Sequence, residues 1–458
     1  MQIFITIALV LIGILFFELI IFSHEFGHFI TAKLSGVKVN EFALGMGPKL
    51  FGFTKGETTY TFRLLPIGGY CAMEGEDEDS ENPRAFNNAK IWKRMIIIIA
   101  GAVMNILLGF ILMFAFTVQQ DSFASTKIEG FTPNAYTANT GLQVGDEIID
   151  VNGYSVWNSR DMQFGIATLK CQDVDGHSLN VYRQDCMNNA MNLFAEFVNE
   201  KEISDEDYAK AYKIYEDGCT EIRYSETKEY AKSKYEKLCT DLCAFFGKDD
   251  YEIKPIVEQD ERKRFTGDIT VIRDGKEVLL EDVYFYTQYL SEEDQKADKP
   301  SIAFDFYVEV IDKSVSSVIS QTFTQTCSMA KSVWTSLVWL VQGQFSFTDL
   351  SGPVGIASAV TQVASQGLMT GFGDAVNNIM FVMILITINL GIVNMLPFPA
   401  LDGGRFLFLL IEWIFRKPIP RKVEQIVNTA GLILLLLFMA IISLKDIWQL
   451  ITGTMPTI

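Results

Sequence analysis

His24-Glu25-Phe26-Gly27-His28 closes an apolar run that starts at Ile3 and is interrupted before Phe22 only by Thr6 and Glu18. On a helix, histidines four residues apart share one face and Glu25 lies one step round the turn. That arrangement can hold a zinc ion and activate its water. Ile3 to Phe22 is long enough to span a bilayer, and ionisable groups are kept in such a run for a function.

Working outward, the 458 residues are 49% hydrophobic, gathered into blocks that read as membrane spans, so the lipid bilayer is the first expected partner. A net charge of -18 repels nucleic acid, and no nucleic-acid partner is expected. Five of the seven cysteines fall between Cys171 and Cys243 with no C-x-x-C pair, which argues against a structural zinc knuckle. If that region lies outside the cell, disulfides can form there.

The first span has no basic leader and no small-x-small cleavage site, so it is expected to be retained. Lys33, Lys38 and Lys49 follow it, and the positive-inside rule puts this end in the cytoplasm. Gly45, Gly47, Pro48, Gly52 and Gly56 punctuate the next stretch, and Tyr60, Phe62 and Leu64 alternate with Thr61 and Arg63, as in a hairpin beside the membrane. A strand there, with Tyr60 and Phe62, is expected to hold a substrate backbone extended; a small packed sheet without that role is the alternative. Glu74 to Glu81 reads as a solvated acidic loop. Ile91 to Val118 forms a second span, entered past Lys90, Lys93 and Arg94 and leaving outside, with Asn105 facing another helix.

Gly141-Leu142-Gln143-Val144-Gly145-Asp146-Glu147-Ile148-Ile149-Asp150-Val151-Asn152-Gly153 resembles the core of a PDZ domain, and Asp268 to Val278 resembles its later hairpin, turning at Asp274-Gly275. Between them, Gln172 to Arg264 reads as a helical insertion from the spacing of Tyr208, Ala211, Tyr212 and Tyr215, with His177 on its surface. Ser314 to Val341 suggests an amphipathic helix on or in the membrane surface. Ala375 to Leu396 is a third span and Val427 to Leu444 a fourth, separated by basic Arg416, Lys417, Arg421 and Lys422. Asp402 is the carboxylate at membrane depth beyond the third span, and a catalytic zinc needs a third protein ligand, so it is the candidate.

Together HEFGH, GMGPKLF, RLLPIGGY, one PDZ core, SGPVGIA and NMLPFPALDGGR resemble the RseP-type bacterial branch of the site-2 protease family, over most of the chain in order. The resemblance implies that His24, His28 and Asp402 bind Zn2+, that Glu25 is the general base and that Asn394 lies near bound substrate. It also implies an intramembrane zinc metalloendopeptidase that cuts the transmembrane segment of a pre-trimmed, single-span regulator. The cysteine-bearing insertion departs from the common pattern. So does Glu18, which is expected to hydrogen-bond inside the bundle.

The expected fold is a polytopic α-helical membrane protein of about four spans, with a membrane-associated β-hairpin region and an extracytoplasmic PDZ domain carrying a helical insertion. Its expected divisions are 1–34, the first span; 35–90, a cytoplasmic-face β region; 91–120, the second span; and 121–313, the PDZ domain with insertion 172–264. Then come 314–373, the amphipathic segment and turn; 374–415, the third span and Leu-Asp-Gly-Gly; and 416–458, the basic loop and fourth span. The protein is expected in the bacterial inner membrane with both termini outside and the active site near the cytoplasmic face. Rival readings are a PDZ adaptor and an intramembrane metal transporter, which would tolerate Glu25→Gln.

Overall fold

The computed structural model describes residues 2–76, 78, 80–200, 203–248, 250–256, 261–289, 300–343 and 350–452. Asp77 and Asp79 of the acidic loop, and residues 201, 202, 249 and 257–260 of the expected insertion, lie outside the described residues. The chain divides into two compact units, Met1–Asp121 with Ser314–Ile458, and Ser122–Lys313.

The first unit is built on helices. α1 (Gln2–Ser35) and α2 (Ile91–Gln119) flank a β-ribbon, β1 (Val39–Lys55) and β2 (Thr58–Met73). After the second unit come α8 (Val315–Val341), α9 (Pro353–Thr370), α10 (Phe372–Asn394), α11 (Asp402–Phe415) and α12 (Arg421–Thr452). Four stretches, Leu11–Ser35, Ile91–Gln119, Phe372–Asn394 and Lys422–Thr452, are long and apolar enough to cross a membrane. α10 lies at the centre. Its Ile379 and Met383 pack with Leu9 and Ile20 of α1, and its Met380, Ile384 and Ile388 pack with Leu112 and Met113 of α2.

α8 corrects the expectation of a helix on the membrane surface. Thr322 shares a 2.7 Å hydrogen bond with Thr117 at the end of α2, and Met329 joins the α2–α10 cluster, so α8 returns alongside α2. Of the residues it buries, Val318, Thr322, Gln325, Thr326, Met329 and Val333 recur every three or four positions and form one seam against the bundle, with Ser328 beside it. That seam, rather than the lipid surface, accounts for its amphipathic pattern.

The ribbon curls. Residues 41–44 pair with 69–72 on one side and with 59–62 on the other, and 59–62 pair in turn with 51–54. Gly45 and Gly68, at φ 78° and 94°, make corners that a side chain would strain. Lys33 and Arg84 both bind Glu57 at the Gly56-Glu57 turn, at 3.0 and 2.7 Å. Arg84 first and Lys33 second hold the Glu57 carboxyl down at about 2.

In the second unit, β3 (Ser122–Phe131), β4 (Glu147–Val151), β5 (Tyr154–Ser155), β6 (Lys170–Asp175), β7 (Glu261–Arg273), β8 (Lys276–Gln288), β9 (Ser301–Ala303) and β10 (Phe306–Asp312) form one antiparallel sheet. Its order is β10-β3-β4-β7-β8-β9, with β5 added to β4 and β6 to β7. The sheet shares a core of Ile128, Ile148, Val151, Ile269, Val271 and Phe285 with Ile166 of α4 (Ser159–Ala167). Asp305 is buried and accepts hydrogen bonds from the Tyr136 and Thr137 amides at the start of α3 (Tyr136–Asn139). The β7–β8 turn lies at Asp274-Gly275, both at positive φ, as expected. Between β6 and β7 the chain makes α5 (Leu179–Glu200), α6 (Asp205–Arg223) and α7 (Lys228–Phe246).

Those three helices have a core of their own, and it holds Cys186, Cys219, Cys239 and Cys243 among Phe197, Tyr215, Tyr235 and Leu242. All four are buried thiols. Burial pushes Cys186 and Cys219 up to about 12 and Cys239 to about 11. The disulfides that an extracytoplasmic location would allow are not formed among them; they pack as small apolar groups.

Candidate metal centre

α1 brings His24 and His28 onto one face with their Nε2 atoms 3.2 Å apart and their rings nearly perpendicular, at 86°. Asp402, the first residue of α11, places Oδ2 at 3.2 Å from His24 Nε2 and 3.3 Å from His28 Nε2. Four ligands at about 2.05 Å in tetrahedral array lie about 3.3 Å from one another, so these separations fit a zinc ion held at the centre of the three atoms. It is the only such cluster of His, Cys, Asp or Glu among the described residues.

The tautomer fits as well. His28 Nδ1 donates to the Ile97 carbonyl at 2.8 Å; a carbonyl only accepts, so the proton sits on Nδ1 and the Nε2 lone pair is free for a metal. Asp402 Oδ2 is buried without a hydrogen-bond donor among the described residues, the state of a carboxylate oxygen shaped for a cation.

Glycines make the approach possible. A Cβ on Gly101 of α2 would fall 2.4 Å from His28 Nε2 and 2.7 Å from His24 Cε1. One on Gly27 would meet the Ala100 carbonyl oxygen at 2.3 Å, so α1 and α2 touch backbone to backbone at the level of the histidines. Beyond α10 the chain doubles back through 395–401, with Ala400 at φ 75°. Cβ atoms on Gly403 and Gly404 would strike the Leu396 and Phe398 carbonyl oxygens at 2.2 and 2.3 Å, which explains the glycine pair after Asp402.

Two ion pairs hold α11 in place: Arg94 of α2 with Glu412 at 2.7 Å, and Glu76, just beyond β2, with Arg405. In the sequence Arg94 reads only as a topology signal and Glu76 only as part of a solvated loop, and neither their pairing with α11 nor the role of Gly101 stands out there; the signal available is Arg405, one turn after Asp402.

Glu25 lies between the histidine face and the ribbon, close enough to His28, His24 and Asp402 to feel their charge. Its Cγ would lie 3.5 Å from a Cβ on Gly69, so the ribbon passes beside it. Asn394 ends α10. Tyr60 and Phe62 are not brought to the metal centre. They line an apolar cavity of about 330 Å³ with Phe22, Phe26 and Phe29, on the flank of α1 turned away from His24. Their backbone is paired on both sides, so this segment has no open edge for a substrate, correcting that expectation. The open edge of the ribbon is 69–73, which has no second strand partner among the described residues.

The profile of peptidase family M50 matches residues 12–438. The chain belongs to that family. It is 30% identical over 438 residues to a putative zinc metalloprotease of Clostridium acetobutylicum, covering 96% of this chain and 97% of that one. It is also 30% identical to the zinc metalloprotease RasP of Bacillus licheniformis, over 95% and 98% of the two chains. The regulator of sigma-W protease RasP of Bacillus subtilis is 29% identical over 95% and 97%. This M50 peptidase is therefore a bacterial membrane zinc metalloprotease of the site-2 type. Bound zinc supplies Lewis acidity, polarising the scissile carbonyl and acidifying a water.

Proposed function

We propose that this peptidase cuts the transmembrane segment of a single-span membrane regulator already trimmed outside the cell. His24, His28 and Asp402 hold the zinc, Glu25 is the general base and Asn394 lies near bound substrate. The observation that carries this reading is the convergence of three donor atoms from α1 and α11, with Glu25 on the adjoining face, inside an apolar bundle. Glu25 takes a proton from the attacking water and passes it to the leaving amine nitrogen. A helical substrate hides its carbonyls in its own hydrogen bonds, so it has to be held extended. The free edge at 69–73, beside Glu25, supports capture by strand addition there rather than at Tyr60 to Leu64.

The Ser122–Lys313 unit is read as an extracytoplasmic PDZ domain whose insertion, α5 to α7, screens substrates by the size of their ectodomain. Its Gly141 to Gly153 stretch and the β7–β8 hairpin support that reading. The basic ends of the spans support the orientation: Lys93 donates to the Ser35 carbonyl and Arg94 pairs with Glu412, so the ends rich in Lys and Arg gather at one end of the helical unit.

Glu25→Gln tests the reading. It is expected to keep stoichiometric zinc and lose cleavage of a trimmed single-span substrate in a reconstituted bilayer, because an amide cannot accept the proton. Full activity in that variant would remove Glu25 from the chemistry. Membership of a peptidase family already counts against the adaptor and transporter readings.

A further inference from the structure

Glu18 and Glu25 are the two carboxylates of α1, and the proposed chemistry uses only the second. Seven residues apart, they share a face. Both oxygens of Glu18 are shut off from solvent and make no well-formed hydrogen bond to a side chain among the described residues; the group that faces them is the backbone amide of Gly45. A carboxylate in an apolar span is costly, and one that faces a single backbone amide keeps acceptor capacity for a further donor.

The surroundings show where such a partner passes. Glu18 lies against the backbone of Gly45, and Ile21 and Glu25, on the same face, lie against Gly69. Gly45 follows the segment that pairs with the open edge 69–72, so the face from Glu25 to Glu18 runs along that edge and past its end. From Glu25 to Glu18 is about 10 Å of helix rise, the length of about three extended residues.

We propose that Glu18 is a specificity-determining residue. It accepts a hydrogen bond from a Ser, Thr, Asn or Gln side chain that the substrate carries about three residues from the scissile bond, on the side running back toward the N-terminal end of α1. A substrate with an apolar residue there gains no such bond and is bound less tightly. This rests on the reading of Glu25 as base and of 69–73 as the substrate edge.

The test uses the full-length, zinc-loaded protein in lipid nanodiscs with two single-span peptides that differ only by Asn or Leu at that position, mixed in competition. Mass spectrometry locates the cut and measures the ratio of rates. The wild type is expected to favour Asn roughly ten- to a hundredfold. Glu18→Leu is expected to abolish that preference with zinc content unchanged, and Glu18→Gln, whose amide oxygen still accepts, to retain much of it. An unchanged ratio in Glu18→Leu overturns the proposal, whether absolute rates hold, so that the preference belongs to the substrate alone, or fall together, so that Glu18 is only structural. Failure of the underlying reading is separate: Glu25→Gln would then still cut both peptides.

Discussion

Gly101→Ala probes the metal centre without touching a ligand. The added Cβ would lie 2.4 Å from His28 Nε2 and 2.7 Å from His24 Cε1. Ordinary contact begins near 3.5 Å, so roughly 1 Å of movement is forced, whereas a zinc site tolerates only about 0.2 Å in its ligand distances. His28 cannot yield easily, because its Nδ1 is tied to Ile97 on the same helix that carries the new methyl. Zinc affinity is therefore expected to fall at least the roughly 10- to 100-fold seen when an outer-shell partner is lost, with cleavage falling in step. Chelator competition with metal quantification reads the affinity, and thermal unfolding in detergent separates ligand displacement from a parting of α1 and α2. Gly13→Ala, with nothing within 4 Å of its Cβ, is the control and is expected to be silent. Wild-type zinc affinity and cleavage rate in Gly101→Ala would refute the argument that this glycine makes room for the histidines.

Asp446 of α12 accepts from the Gly352 and Gly355 amides at 2.9 and 2.8 Å and so caps α9 from another helix. Asp446→Leu strands both amides, at about 1–3 kcal/mol each, and is expected to lower the melting temperature where Asp446→Asn does so less; equal melting of Leu variant and wild type would count against the cap. Cys186, Cys219 and Cys239, raised from their usual value near 9 to between about 11 and 12, favour the folded state below pH 9. That contribution is lost as pH rises from 9 toward 12, so hydrogen exchange in α5 to α7 is expected to accelerate over that window, and a flat profile would contradict it. Their burial also means that thiol reagents applied to intact cells will miss them on either side of the membrane until the protein is denatured. Removing residues 176–256 leaves four residues between Asp175 and Glu261, which pair directly, so the sheet can close as a hairpin. The shortened protein is expected to cut a trimmed substrate as before and an untrimmed one in addition; loss of the trimmed activity in a folded, zinc-loaded protein would make the insertion a docking site. A cut from Gln172 to Arg264 would be less informative, because those two residues are themselves a β6–β7 pair.

The sequence by itself determined the features that are local or that the bilayer imposes. His24 and His28 fall on one helical face because 3.6 residues make a turn, the four apolar stretches are helices long enough to cross a bilayer because a helix satisfies its own backbone in lipid, and Asp274-Gly275 turns because both residues accept positive φ. Asp402 was legible through its depth and its glycine neighbours. Only the tertiary structure decided what depends on contacts between distant segments. Tyr60 looked like an exposed strand residue because alternation reports which face is apolar and says nothing about which backbone edge is free; the curl of the ribbon leaves that edge at 69–73. Ser314 to Val341 carried a stripe that fits lipid and protein equally well, and the Thr117–Thr322 bond gave it to α2. The cysteines left disulfides open because composition cannot separate a paired sulfur from a buried thiol, and the α5–α7 core makes them the latter. Gly101 and the Arg94–Glu412 pair were invisible for the same reason: their meaning lies in residues on other helices, brought within 3 Å by packing that one-dimensional spacing does not encode.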